Sequence, residues 1–516
     1  MKIQTNKEFD YLVVGSGISG MTAALLLARQ GAKVGVLEKA AVPGGSMARF
    51  YRENCPLDTG FHFTTALSGA FGDMFHFLGM KDFLREITVD KKIYLAESGK
   101  MFHLPHGHEN ILDYYASLFP GTREKLKLFF DLEKKIYSNT ALFSLNESGV
   151  DPLIGFNFSP EDSLILTDFL KKLDLPAELE LLLFSFAICC CGTPAEEISL
   201  SSLCRISYGL HDRLVRFDGG GEAVVSLFLK KAEELGIEIL TNTQIEHCVP
   251  EVSRKTECHK IITSLGTEIR FGSCIFTTHP RSILNNISSI VKTTAFQERV
   301  DEFEESCGFF TLWAKILDGP GTEDCDEAEA SLISYLRKTK LSTLMSPAEP
   351  DNTATGIMTV KETTNTGESC RTLTVFENVF PPETQAWEGT SLEQRGEAYL
   401  KYKEERCRTL LERCYKVRPD LQGRVQILAS ASQLSYRDYL SPCGSAYGIR
   451  QKAGQFNIFG RLPVRNFYAA GQNSLLPGAF GAMQSSFILW RKIIGESMYQ
   501  KAIRDFSSCY RKVESR

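Results

Sequence analysis

Several features that would define other classes of protein are missing from the 516-residue chain. The longest apolar run, residues 181–191, falls well short of the roughly 20 residues that a membrane-spanning helix needs. The opening segment MKIQTNKEFD has no apolar core of signal-peptide length, so we expect no secretion. The net charge of -5 provides no global positive field, and since no local basic stripe is visible we expect no nucleic-acid partner.

Cysteine is plentiful, but it is not arranged for redox or metal chemistry. The 15 cysteines include no CxxC pair, and an odd count argues against a complete disulfide framework. A reducing compartment fits best, and we expect a cytoplasmic protein for which peripheral membrane contact stays open. Cys189, Cys190 and Cys191 follow an apolar stretch, where free cysteine packs as a small hydrophobe. No CxxxxC pair follows the first predicted helix, which excludes disulfide reductase chemistry.

The order of strand and helix signals in residues 10–38 is typical of the opening of a doubly wound α/β domain. An apolar run at 11–14 predicts a central parallel strand, an Ala- and Leu-rich segment at 21–29 predicts a helix, and 34–37 predicts a second buried strand. The same signature returns at 222–249, with a strand at Glu238–Leu240. It returns again near the end, where a strand at Phe467 and a glycine turn precede a helix that we extend to about Met498.

A glycine-rich motif lies between the first predicted strand and helix. It reads Gly15-Ser16-Gly17-Ile18-Ser19-Gly20, and Glu38 ends the next strand. Gly15 permits the tight turn, Gly17 permits a pyrophosphate to approach the helix N-terminus, and Gly20 permits close packing of helix and strand. Glu38 is placed to accept hydrogen bonds from a ribose. The motif therefore predicts dinucleotide binding.

A second glycine pair, Pro43-Gly44-Gly45-Ser46, follows directly and suits a ligand that runs deep into the protein, which favours FAD. From Glu38 and Lys39 through this pair the chain resembles the amine oxidase-like flavoprotein superfamily. With Ser46 where amine oxidases commonly have arginine, it looks most like the phytoene desaturase, carotenoid isomerase and retinol saturase family within it. The stretch 57–62 (LDTGFH) and the C-terminal motifs 467–472 (FYAAGQ) and 477–483 (PGAFGAM) resemble the same family.

The resemblance implies FAD as the cofactor, an α/β fold and a set of cofactor-binding residues. The expected fold is a doubly wound FAD-binding Rossmann-type domain (1–64, 216–300 and 441–516) with an interleaved α+β substrate domain of mixed sheet plus helices (65–215 and 301–440, helical at about 110–190). Gly471 and Gln472 would lie near the pyrophosphate and ribityl chain, a helix starting near Gly481 would point at the flavin, and Ile245 would contact the adenine. The implied cofactor-binding residues are Gly15, Ser16, Gly17, Ile18, Ser19, Gly20, Glu38, Lys39, Gly44, Gly45, Ser46, Met47, Gly60, Phe61, His62, Ile245, Gly471, Gln472, Gly481, Ala482 and Met483.

Histidines offer the candidates for catalysis and for metal binding. His62 would lie beside the flavin, where it could donate a proton to the substrate or merely hydrogen-bond a carbonyl. We take it as the candidate catalytic residue. His103, His106 and His108 in HLPHGH lack a carboxylate at metal-site spacing, so we expect a loop of solvated histidines and no metal.

No second dinucleotide motif is visible, so electrons must come from, or go to, an external donor or acceptor. The resemblance implies hydride transfer between flavin N5 and a carbon of an apolar polyene or isoprenoid lipid, giving saturation, cis–trans isomerisation or desaturation. Ser46 and the His62 segment favour saturation or isomerisation over desaturation. The Leu- and Phe-rich helix at 177–188 is either tunnel lining, a membrane-facing lip or core. The alternatives are a prenyl-lipid escort protein without redox activity and a flavin amine oxidase.

Overall fold

A computed structural model of the chain describes residues 7–140, 160–250, 257–291, 294–318, 328–392 and 394–514, with side chains described as far as residue 506. Within these ranges strands and helices alternate along the chain. The strands are β1 (Lys7–Val14), β2 (Val34–Leu37), β3 (Arg49–Arg52), β4 (Cys55–Asp58), β5 (Thr64–Thr65), β6 (Glu86–Leu95), β7 (Lys100–Leu104), β8 (Leu214–Phe217), β9 (Glu238–Leu240), β10 (Ile245–Val249), β11 (Lys260–Thr263), β12 (Glu268–Phe276), β13 (Gly308–Ile316), β14 (Ala330–Leu336), β15 (Ala354–Thr363), β16 (Ser369–Val379), β17 (Val425–Ala431), β18 (Gly460–Arg461) and β19 (Phe467–Ala469). The helices are α1 (Ile18–Ala28), α2 (Gly69–Phe77), α3 (His108–Leu118), α4 (Arg123–Ser138), α5 (Pro160–Ser163), α6 (Leu166–Leu173), α7 (Ala177–Cys191), α8 (Leu200–Asp212), α9 (Gly220–Glu234), α10 (Pro280–Ile287), α11 (Thr294–Asp301), α12 (Gly396–Val417), α13 (Gln433–Tyr439), α14 (Gly478–Ile494) and α15 (Glu496–Glu514).

The first sheet has a parallel centre, with strands in the order β10-β11-β12-β1-β2-β9 and β19 beside β12. The strand pairs β1–β2, β2–β9, β1–β12 and β12–β19 are all parallel. The strand order reverses at β1, because β2 and β9 lie on one side of it and β12 and β19 on the other. Ligands of such sheets bind in the crevice at the point of reversal. This is the predicted doubly wound α/β architecture.

The second sheet is larger and mostly antiparallel, in the order β17-β13-β16-β15-β14-β6-β8-β5, with β7 paired to β6. Only the β6–β14 pair is parallel among the neighbours described. Its strands come from 64–104, 214–217 and 308–431, between the segments that form the first sheet. The predicted mixed sheet plus helices, interleaved with the first unit in sequence, is therefore present.

The helices that the apolar pattern predicts at 21–29, at 177–188 and near the C-terminus are present, with differences at their ends. α7 begins after Pro176 as expected and continues through the cysteine run to Cys191. The predicted C-terminal helix stops earlier, because Gly495 adopts a φ of 80° and a separate helix, α15, follows it. Among the described residues no helix combines the length and apolarity needed to cross a membrane.

Candidate active site

A cavity of about 1090 Å³ lies between the two sheets and the helices packed on them. Its volume is slightly above the roughly 300 to 1,000 Å³ usual for small-molecule sites, so it has room for an extended cofactor. The strand ends Val14, Leu37, Phe276 and Ala469 are in register across β2, β1, β12 and β19. The residues that follow these strands line the cavity, which therefore sits at the carboxyl edge of the parallel sheet.

The first glycine motif forms the turn into α1, and each of its three glycines is required or favoured for a different steric reason. Gly15 has a φ of 102°, a backbone conformation that favours glycine. A Cβ on Gly20 would lie 1.8 Å from the carbonyl oxygen of Gly15, so only glycine permits this packing. A Cβ on Gly17 would meet no protein atom within 4 Å, although Gly17 lines the cavity. Space is therefore kept at the N-terminus of α1, where unpaired N–H groups attract anions.

The second glycine pair packs directly against the first motif. A Cβ on Gly45 would lie 3.3 Å from the Cα of Gly17, so the two backbones run side by side. The Ser16 hydroxyl connects them, since it donates to Glu38 Oε2 at 2.6 Å and accepts from the N–H of Gly44 at 3.2 Å. Glu38 also accepts from the N–H of Ser16 and of Ala40. The carboxylate is thereby held at the cavity with acceptor capacity left for a hydroxyl ligand.

The C-terminal motif completes the cavity from the side of α14. Gly471 has a φ of 116° and donates its N–H to Ser485 Oγ at 2.7 Å. The hydroxyls of Ser19 and Ser486 lie 2.7 Å apart, which joins α1 to α14. α14 begins at Gly478, three residues before the expected Gly481, and its first turn lines the cavity. Three glycine-rich stretches far apart in sequence thus converge on one cleft.

Most of the residues predicted to bind the cofactor line this cavity, and the others lie directly behind it. Those in the wall are Gly15, Gly17, Ile18, Ser19, Glu38, Lys39, Gly45, Ser46, Met47, Gly60, Phe61, His62, Ile245, Gly471, Gln472 and Ala482. Ser16, Gly20, Gly44, Gly481 and Met483 are not in the wall. Their contacts instead shape it, as a Cβ on Gly481 would lie 2.2 Å from the carbonyl oxygen of Leu476.

His62 faces the same cavity from the loop after β4. Its ring stacks on Phe376 with centroids 4.9 Å apart and planes inclined by 10°. Burial lowers the pKa of His62 to about 4, with Arg216 acting in the same direction and Asp58 against it. The imidazole is therefore neutral at pH 7 unless a bound anion restores its proton affinity.

Four buried charged side chains behind His62 were not anticipated from the sequence. Arg49 pairs with Asp58 and Glu362 at 2.6 Å each, and Arg216 pairs with the same two carboxylates. Their side chains are between 1% and 9% exposed. Burial alone would raise the pKa of Asp58, but Arg216 and Arg49 outweigh it and lower the pKa to about 2. We call these residues the charge quartet.

The charge quartet connects the loop that carries His62 to the second sheet. Asp58 ends β4, next to the loop that carries His62, while Arg216 and Glu362 come from β8 and β15 of the second sheet. Arg216 also donates to the main-chain carbonyl of His62 at 3.1 Å. The position of the His62 loop is thus fixed from the second sheet.

The remaining wall comes from the second sheet and the helices above it. Phe376 on β16 and Phe309 on β13 lie edge to face, and Phe309 meets Tyr447 in the same way. The helix predicted at 177–188 is mainly core, since most of its apolar side chains are fully buried, and α7 reaches the cavity through Cys190. Aromatic side chains from β13, β16 and residue 447 therefore form part of the cavity wall next to His62.

The expected loop of solvated histidines is only partly correct. His103 is exposed on β7, but His106 and His108 are half-buried. His108 begins α3, and its Nε2 lies 3.3 Å from Glu133, a residue of α4 that the sequence pattern did not connect with it.

The chain matches known proteins along nearly its whole length. Residues 13–79 match the family model for an NAD(P)-binding Rossmann-like domain. An all-trans-retinol 13,14-reductase from Danio rerio is 21% identical over 96% of this chain and 88% of its own length. A prolycopene isomerase from Daucus carota is 30% identical over 32% of this chain and 28% of its own length.

The fold also matches a solved structure. An oxidoreductase from Methanosarcina mazei superposes with a TM-score of 0.64, at 13% identity over 94% of this chain and 99% of that one. These matches confirm the resemblance to the phytoene desaturase, carotenoid isomerase and retinol saturase family of amine oxidase-like flavoproteins. They also support assignment of the chain as an oxidoreductase.

Proposed function

We propose that the protein is an FAD-dependent oxidoreductase that saturates or isomerises carbon–carbon double bonds of an apolar polyene or isoprenoid lipid. The observation that carries the proposal is the convergence of the three glycine-rich stretches on one large cavity that Phe63, Phe309 and Phe376 also line. Full-length similarity to a retinol 13,14-reductase and partial similarity to a prolycopene isomerase support the substrate class and the reaction type.

The glycine loops fit the adenine and pyrophosphate half of FAD. The open position above Gly17 at the start of α1 suits the pyrophosphate, and Glu38 suits a ribose hydroxyl. α14 would direct the positive end of its dipole at the flavin, which stabilises a nearby negative charge by about 0.3 to 1 kcal/mol, and more when partly buried. Bound FAD would supply a hydride acceptor or donor at N5.

The protein's own side chains would then bind and orient the hydrocarbon. Phe63, Phe309 and Phe376 line the part of the cavity next to His62, and aromatic side chains suit an extended apolar ligand. Holding the reacting carbon within about 3 to 3.5 Å of its partner supplies much of the rate acceleration in such reactions. Electrons would pass to or from an external partner.

His62 is proposed to orient the substrate or hold a proton near the reacting carbon. Its lowered pKa makes the neutral imidazole the form present at pH 7, so it acts as a hydrogen-bonding group until charge builds up beside it. Phe376 fixes the plane of the ring, and Arg216 fixes the carbonyl of the same residue.

Product masses distinguish the reactions. The purified holoprotein is incubated anaerobically, with its flavin oxidised or chemically reduced, with a carotenoid, a retinoid and a prenol. We expect a gain of two hydrogens, or no mass change with altered geometry, for at least one polyene. His62→Gln should retain flavin and lose turnover, whereas His103→Gln, on exposed β7, should not.

Other outcomes would overturn the proposal. A colourless protein that binds the prenol without converting it would indicate an escort protein. Peroxide release from amines, with no change in any polyene, would indicate an amine oxidase. Loss of two hydrogens from the polyene would agree with an oxidoreductase, but the reaction would be desaturation instead of saturation or isomerisation.

A further inference from the structure

Three helices of the substrate side meet at a buried polar cluster that the proposed function does not use. His108 is the first residue of α3, Glu133 lies in α4, and His211 lies in the last turn of α8. The side chains are 21%, 0% and 8% exposed, respectively. One ligand-type atom from each lies within 4.8 Å of the other two. We call this the His–Glu–His cluster.

The separations in the His–Glu–His cluster match those between ligands of one metal ion. His211 Nδ1 lies 3.0 Å from Glu133 Oε1, and His108 Nε2 lies 3.3 Å from Glu133 Oε2. Two ligands about 2.1 Å from a tetrahedral zinc ion are about 3.4 Å apart. The Ser207 hydroxyl also donates to Glu133 Oε1 and places a fourth ligand-type atom beside the carboxylate.

Hydrogen bonds within the cluster leave one group unsatisfied. His108 Nε2 is buried, yet within the described part of the chain no acceptor meets hydrogen-bond geometry for it. Buried polar atoms without a partner are uncommon and call for an explanation, of which an ion is one. Among the described residues no lysine or arginine lies within ion-pair distance of the fully buried Glu133. The charge of the carboxylate must therefore be balanced either by a protonated histidine of the cluster or by a bound cation.

The other nitrogen of His211 is placed as in metal-binding histidines. His211 Nε2 lies 3.4 Å from the main-chain carbonyl of Leu183, on α7. Metal-ligating histidines usually direct the second ring N–H to a carbonyl or carboxylate, which orients the ring and fixes the tautomer. His211 is therefore anchored at Nε2, and its Nδ1, which meets the Glu133 carboxylate at 3.0 Å, is the atom that would bind an ion in place of that contact.

We propose that His108 Nε2, Glu133 and His211 Nδ1 bind one divalent transition-metal ion of the zinc type. Two imidazoles and one carboxylate are a ligand set that zinc favours, with the Ser207 hydroxyl or a water as the fourth ligand. The His279, Glu305 and Cys443 side chains form a second group with compatible spacing. Arg281 and Ser445 already contact Glu305 there, which leaves that carboxylate less need of a cation.

The ion would hold one wall of the cavity in place. The ring of Tyr208 lies 4.6 Å from that of His108, and Tyr137 stacks on Tyr208 at 4.2 Å. Both tyrosines line the cavity. The site would join α3, α4 and α8 behind them, which would give the ion a structural role.

Metal content and cobalt titration test the proposal. Protein purified without chelators should contain about one equivalent of zinc or a related metal, by mass spectrometry of the elements. After removal of the ion, Co²⁺ should bind with the visible absorption of a four-coordinate site. His108→Ala and Glu133→Gln should each weaken Co²⁺ binding by at least tenfold, whereas His103→Ala should not change it.

The wild-type measurements test the proposal even if Glu133→Gln does not fold. The His108→Ala variant also keeps the contact between Glu133 and His211. The proposal is wrong if the wild-type protein contains no metal and shows no Co²⁺ absorption at tens of micromolar. It is equally wrong if bound Co²⁺ is insensitive to His108→Ala but lost with His279→Ala, which would assign the ion to the second group.

Discussion

Neutralising one member of the charge quartet should destabilise the protein far more than neutralising an exposed ion pair. Glu362→Gln keeps the size of the side chain but removes the negative charge that Arg49 and Arg216 share. Two arginines would then face Asp58 alone, with a net positive charge left in a site where side chains are 9% exposed or less. The matched control is Glu329→Gln, which breaks the pair of Arg85 with Glu329, where both side chains are about half exposed.

The expected magnitudes are well separated. Removing one partner from a buried ion pair costs about 3 to 5 kcal/mol, because the remaining charge stays buried without compensation. An exposed pair contributes about 0 to 1 kcal/mol. Glu362→Gln should therefore lower the free energy of unfolding by about 3 kcal/mol or more, and Glu329→Gln by less than about 1 kcal/mol.

Guanidinium titrations followed by circular dichroism measure both changes, provided that the slope of each transition is unchanged. A third variant tests the cause. Replacing Arg216 and Glu362 together by methionine removes one charge of each sign and leaves the pair of Arg49 with Asp58, so it should be less destabilising than the sum of the two single changes. Equal effects of Glu362→Gln and Glu329→Gln would refute this reasoning.

Two further predictions concern the glycine turn and His62. Gly20→Ala places a Cβ 1.8 Å from the Gly15 carbonyl oxygen, so the melting temperature and flavin content should both fall, while Gly389→Ala, with no atom within 4 Å, should match wild type. For His62, the pKa of about 4 lies below the ordinary 6.5, so the unfolded chain binds more protons between these values. The free energy of unfolding should therefore decrease by at most about 3 kcal/mol as pH falls from 6.5 to 4, and by less in His62→Gln. An equal change of melting temperature with pH in the two proteins would contradict this.

Local patterns were sufficient to predict the first sheet and the glycine loops. The turn at Gly15–Gly20 joins a continuous apolar strand to an apolar helix, and these signals are adjacent in the chain. The strand Glu238–Leu240 has the predicted bounds. The close packing expected for Gly20 follows from the same turn, since its nearest neighbour is the carbonyl oxygen of Gly15, whereas the threonine that crowds Gly15, Thr277, directly follows β12.

The second sheet was harder to predict because its inner face is not purely apolar. In β6, Lys91 and Lys92 interrupt the hydrophobic pattern, yet Lys91 is 3% exposed and lies 5.1 Å from the ring centroid of Phe186. The stem of a lysine packs as an apolar side chain, and its ammonium is attracted to an aromatic face. A pattern that counts lysine as exposed therefore misses this strand.

The charge quartet and the His–Glu–His cluster depend on contacts between distant segments. Arg49 and Glu362 are 313 positions apart, and only the pairing of strands in the second sheet brings Glu362 near β4. Charged residues are normally exposed, so single arginines and glutamates carry no local signal that they will be buried together. His108 appeared among neighbouring histidines, but its partners come from α4 and α8.

The flavin content of the purified protein tests the central claim most directly. The cofactor is released by denaturation, identified by chromatography and counted per chain, for wild type and for Gly17→Val. We predict about one FAD per wild-type chain, and little or none in Gly17→Val, because a Cβ at this position meets no protein atom within 4 Å and the side chain would occupy the space above the start of α1. A correctly folded wild-type protein that binds no flavin, or whose flavin is unaffected by Gly17→Val, would contradict the account.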